Sequence, residues 1–235
     1  MIFALRHPAV LLGLFAGFLI GVVAKAIVQR WLVSGSGLRR RGRLRSVRSG
    51  GRSGFRQPSA GWSSYLDPYG AVAAVLAGAG WGARVQGRRS GRGSDVALLL
   101  AGLVVHGALA VAGAAAFNAA GGDYRVFGSA FFDATSVLHG SVDPPTTQAI
   151  TAGFALINVA CGLLVLLPIP PLELGVILWS RLPRSPGARR FSYHLLEEQW
   201  GVAVVLLFLL LPLAGQQPLL LVLINDASRA IFAQF

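Results

Sequence analysis

The chain has 235 residues, 54% hydrophobic and 13% charged, with a mean hydropathy of +0.62 and a net charge of +12. That charged fraction is about half of what a soluble domain carries, which excludes an ordinary water-soluble enzyme. Apolar runs that are continuous rather than alternating favour helices over a β-barrel, and a single cysteine, Cys161, excludes an intramolecular disulfide. The expectation is an all-α integral membrane protein, one membrane domain over residues 1–235.

The first apolar run, 8–33, is long enough to span a bilayer. Arg6 and His7 before it, and the small-residue triplet at 24–26, have the look of a signal peptide. The run is longer than a usual signal core, however, and a basic segment follows that resists translocation, so a retained span is expected. Residues 34–66 form an Arg-rich loop from Arg39 to Arg56. The plain reading is a solvated cytoplasmic loop. Its second reading is contact with anionic lipid headgroups, at about 1 kcal/mol per basic residue. No aromatic platform is interleaved, so nucleic acid is not expected as a partner.

Residues 67–83 are short, rich in Gly and Ala, and flanked by arginine on both sides. A full span would carry one basic flank outward, so a re-entrant or membrane-surface segment is expected. A second span covers 95–120 and contains His106. The following loop, 121–147, holds Arg125 against Asp123, Asp133 and Asp143. A third span, 148–179, is interrupted by Pro168, Pro170 and Pro171, because proline removes a backbone donor and breaks helices. Arg181, Arg184, Arg189 and Arg190 follow, and then a fourth span over 201–224. Arginine asymmetry places 34–94 and 180–200 in the cytoplasm, with the N-terminus, 121–147 and the C-terminus outside. The architecture is therefore about four transmembrane helices plus one re-entrant element.

Ionisable groups at membrane depth are the natural functional candidates. They are Lys25 in the first span, His106 in the second and Glu173 just after the prolines. Arg30 and Asp95 lie near helix ends and can snorkel or cap.

The segment NVACGLLVLLPIPPLELG, from Asn158 to Gly175, resembles the N…LLPIPPLDGG signature of the site-2 proteases, intramembrane zinc metalloproteases. Asn158, Pro168, Ile169, Pro170, Pro171 and Leu172 match, and Glu173 stands where that family has a zinc-ligating Asp. LDPYG at 66–70 with GWG at 80–82 is similar to another family segment, carried by Asp67, Pro68, Gly70 and Trp81. DVALLLAGLVVH at 95–106 resembles a third, with Leu103 for a Pro and His106 for an Asn. LLEEQWGVAVVLLFLLL at 195–211 resembles the family's last helix. The resemblance implies a site-2-protease-like fold in a multi-pass protein of a bacterial cytoplasmic membrane. The Ala/Gly/Arg-rich composition also suggests a GC-rich bacterial genome.

The same resemblance exposes a departure. The family's first helix carries HExxH, whose two His at i and i+4 bind zinc while the Glu activates water. Here the corresponding helix reads FLIGVVAKAIVQRWL and holds neither His nor Glu. Lys25, Glu173, His106 and Asn158 are then positions of a degenerate metal site, with no catalytic residue, no metal ligand set and no zinc. A substitute set of His106, Cys161 and Glu173 is chemically acceptable to zinc. Glu173 lies twelve residues beyond Cys161, about 18 Å along an ideal helix, which argues against convergence. The function expected is a catalytically inactive membrane protein that binds or regulates a membrane partner of unknown identity. The alternatives are an active metalloprotease with another ligand set, or a small transporter built on the broken helix. Lys25 and Glu173 either pair with each other or reach separately for interfacial water.

Overall fold

Three of the apolar runs form long helices in the computed structural model, which describes residues 7–35, 65–83, 92–123, 145–181, 185–196, 200–214 and 217–234. They are α1 (Pro8–Gly35), α3 (Arg92–Ala119) and α4 (Thr146–Val165). Their apolar stretches of 26, 25 and 20 residues are long enough to cross a bilayer. The chain is thus a mostly helical membrane protein with three candidate spans among the described residues. α4 lies between α1 and α3 and packs on both. Of its most apolar window 67% is buried, against 22% for α3, so α4 is the central helix and α3 keeps a broad face outward.

Small residues set the distance between α1 and α4. Gly13, Gly17 and Gly21 recur every fourth residue and are all buried. A Cβ at Gly13 would run into the Ile150 carbonyl, and one at Gly17 into Ile157 and the Phe154 carbonyl. Close backbone approach through such a stripe drives helix association where no hydrophobic force acts between helices. Beside the stripe run Val10, Leu14, Phe18, Val22 and Ala26, all buried. Leu12, Phe15, Ile20, Ile27 and Trp31 face away.

α2 (Pro68–Ala77) is ten residues long, about 15 Å, half the hydrocarbon thickness. Asp67 caps it by accepting from the backbone N–H groups of Tyr69 and Gly70, both at 2.9 Å, and Pro68 opens its first turn. Gly78, at φ 72°, closes it in the left-handed conformation that favours glycine. The chain then returns to its start. Leu66 and Gly82 form an antiparallel bridge, and the Ala83 N–H donates to the Tyr65 carbonyl at 2.9 Å. Both ends of the 65–83 element therefore lie side by side.

Beyond α4 the chain breaks at 166–172 and resumes as α5 (Glu173–Ser180). The last turn of α4 tightens, with Leu166 and Leu167 donating to Leu163 and Leu164. The Pro170–Pro171 peptide bond is cis. α6 (Pro186–Leu196) follows, with Phe191 stacked 5.0 Å from Trp179.

The single span expected over 201–224 is corrected. That stretch holds α7 (Trp200–Leu210), an antiparallel pair of short strands, β1 (Pro212–Ala214) and β2 (Gln217–Pro218), and the start of α8 (Leu219–Phe232). Pro212 and Pro218 interrupt the hydrogen-bond ladder a continuous helix would need. At eleven residues α7 covers about 16 Å. α8 packs back on α4 and α3, where Phe232 meets Phe117 edge-on at 5.4 Å. The Arg39–Arg56 segment, Arg125, Asp133, Asp143 and Arg184 lie outside the described residues.

Candidate functional site

The proline break brings Glu173 into the helix bundle. Leu172 precedes α5 in an extended conformation, and Glu173 opens its first turn, where the helix dipole favours a carboxylate. Gly175 lies against Ile169 and Pro170, since a Cβ there would collide with both. Gly201 touches the Pro170 carbonyl in the same way, so the start of α7 packs on the proline turn. This turn fixes the direction of α5 and, through it, the position of the carboxylate.

Lys25 on α1 meets it. Lys25 Nζ lies 2.9 Å from Glu173 Oε1, with side chains 4% and 10% exposed. Gln29, one turn along the same face of α1, donates from Nε2 to Glu173 Oε1 at 3.0 Å. The same amide nitrogen donates to the Leu98 carbonyl of α3 at 3.0 Å. Of the two arrangements left open by the sequence, the structure contains the pair. Gly102 makes room for it: a Cβ there would sit 3.0 Å from Glu173 Oε2 and 3.4 Å from Lys25 Cδ. The cluster joins α1, α3 and α5.

A second polar cluster lies on the long helices. His106 Nδ1 and Asn158 Oδ1 are 3.0 Å apart, and Asn158 Nδ2 donates to the carbonyls of Phe154 at 2.9 Å and Gly17 at 3.4 Å. Because both amide hydrogens go to carbonyls, the Asn158 oxygen is the acceptor towards the ring. This assigns the proton to Nδ1 and leaves Nε2 as an acceptor. Gly21 gives the pair its space, since a Cβ there would press on Asn158 Oδ1 and the His106 ring.

A cavity of ≈ 20 Å³ connects the two clusters. Lys25, Glu173, His106, Cys161, Trp81 and Pro171 are among its lining residues. The chain turns at 166–172, so an ideal-helix distance between Cys161 and Glu173 does not apply. His106, Cys161 and Glu173 line one space. Even so, among the described residues no three His, Cys, Asp or Glu side chains are placed to hold a metal ion.

The 65–83 element contributes Gly80, Trp81 and Gly82 to the cavity wall. Asp67 and Pro68 start its helix, and Gly70 lets the backbone at Trp81 pass closely, since a Cβ at Gly70 would meet the Trp81 carbonyl. Two features escaped the sequence reading. Gln29 is neutral and does not stand out by charge, although it is four residues from Lys25 and so shares its face. The glycines at 13, 17 and 21 had a readable signal in their spacing.

No family model matches the chain, and no curated protein or solved structure matches it either.

Proposed function

We propose that the chain is a catalytically inactive homologue of the site-2 proteases that binds or regulates a membrane-embedded partner in a bacterial cytoplasmic membrane. One observation carries the reading: Lys25 and Gln29, at i and i+4 on α1, both contact the carboxylate of Glu173. That is the spacing of the two histidines in HExxH. In this reading Lys25 and Gln29 stand at the histidine positions, Ala26 at the position of the Glu that activates water, and Glu173 at that of the third ligand. An ammonium occupies the carboxylate oxygen that would face a metal.

The residues present do not fit zinc. A catalytic zinc takes three protein ligands; the Lys25 ammonium supplies none, Gln29 offers only a neutral amide oxygen in place of an imidazole, and the Glu173 oxygen nearest α1 is engaged by Lys25 and Gln29. The proposed role is therefore recognition rather than hydrolysis. Contact of the Arg39–Arg56 segment with anionic lipid belongs to the same reading, as does the topology with 34–94 and 180–200 in the cytoplasm.

The test is the metal content of the purified protein. Zinc should be absent at stoichiometric level, and thermal unfolding should not change with a chelator. The quadruple variant Lys25→His, Ala26→Glu, Gln29→His and Glu173→Asp serves as the positive control. One tightly bound zinc per wild-type chain overturns the reading.

A further inference from the structure

The cavity between the two polar clusters is too small for an organic ligand, but its walls are polar. Two residues of the wall each carry a buried atom with no hydrogen-bond partner in the protein: Trp81 Nε1, a donor, and Glu173 Oε2, an acceptor. Both residues are 92% buried (8% exposed each) and both line the cavity. Two further polar groups come from lining residues. Lys25 carries an ammonium with three donors, and His106 carries Nε2, an acceptor by the tautomer assigned above.

Of these four groups two donate and two accept. This composition selects the occupant. A cation is repelled by the ammonium and the indole N–H. An anion is repelled by the carboxylate. A neutral molecule that only donates or only accepts leaves half of the wall unmatched. Water donates twice and accepts twice. A cavity must provide roughly 10–15 Å³ to hold one water, and this one measures ≈ 20 Å³. Buried waters typically make about three hydrogen bonds to groups otherwise unpaired.

We infer that one water molecule is held between Trp81, Glu173, Lys25 and His106 as a permanent part of the membrane interior. It accepts from Trp81 Nε1 and donates to Glu173 Oε2, so the carboxylate has a partner on each oxygen. The 65–83 element thereby acquires a role the sequence did not reveal: it delivers the indole that closes the hydration site of the ion pair. The inference stands whether or not the chain is related to proteases.

The probe is the water itself. The five tryptophans are labelled with nitrogen-15 at the indole, and the protein is placed in a detergent micelle. The signal lost in Trp81→Phe identifies the Trp81 N–H. If that variant does not fold, Phe variants at Trp31, Trp62, Trp179 and Trp200 identify it by elimination. The expected result is a dipolar cross-peak between the Trp81 N–H and water, with a bound lifetime well above that of surface hydration. The infrared spectrum should also contain an O–H stretching band that moves in oxygen-18 water and is missing from Trp81→Phe. A Trp81 N–H protected from exchange but with no cross-peak to water overturns the inference.

Discussion

The Asn158 cluster and the Glu173 cluster sit in the same bundle and are built on different principles. Asn158 needs nothing outside the long helices. Its two donors go to carbonyls of α4 and α1, its oxygen faces His106 of α3, and every partner is neutral. Glu173 cannot be served in that way. A helix interior offers carbonyl oxygens and few free N–H groups, so a buried carboxylate must find donors on side chains. It finds Lys25 and Gln29, and to reach them the chain abandons helix at 166–172. A neutral polar group can be fitted into a continuous membrane helix. A charge requires a second charge and a break that lets the two meet.

The sharpest way to break this comparison is to remove one charge. Lys25→Met leaves Glu173 buried without its counter-ion and should cost about 3–5 kcal/mol, as should Glu173→Leu. The double variant should lose far less than the sum. Reversible unfolding in mixed micelles measures all three, and simple additivity would show that the two residues do not act as a pair.

The neutral cluster should respond more weakly. Asn158→Ala removes the partner of His106 Nδ1 and should cost about 1–3 kcal/mol in the same assay. A second variant, His106→Ala with Asn158→Ala, should add little further. A loss at Asn158 equal to that at Lys25 would erase the distinction drawn between neutral and charged sites.

The smallest effect concerns the space rather than the bonds. In Gly21→Ala the new methyl presses on Asn158 Oδ1 while the helix gains propensity. The two terms oppose each other, about 1–3 kcal/mol of overpacking against about 1 kcal/mol gained. The expected outcome is a loss of about 1 kcal/mol, confined to the neutral cluster. If Gly21→Ala is stabilising, the glycine stripe does not limit the approach of α1 to α4.

The sequence made some of this legible and not the rest, for physical reasons. Charges are scarce enough in an apolar chain that Lys25 and Glu173 identify themselves. Asp67 and Pro68 form a helix start that needs only local chemistry to be recognised. The proline triplet marks the break because its effect on the backbone is local too. What the pattern could not give is the direction in which the chain leaves that break. This depends on Gly201 passing close to Pro170, a contact made across the fold. Hydropathy overran the interruption at Pro212 and Pro218, since averaging over the length of a span conceals a turn with leucines on both sides. Gln29 stayed hidden because an amide attracts notice only once its neighbours are known.

Gln29 and Glu173 are separated by 144 positions in the chain, and Lys25 lies further back still. At a synthesis rate of about 5–20 residues per second, the lysine exists for on the order of ten seconds before its carboxylate does. During that interval α1 carries an ammonium into the membrane without a counter-ion, against a penalty of about 2.5–3.5 kcal/mol. The rest of the helix is long and apolar enough to cross a membrane despite that charge. The ion pair therefore closes late in synthesis: α1 is made well before the segment that carries its counter-ion.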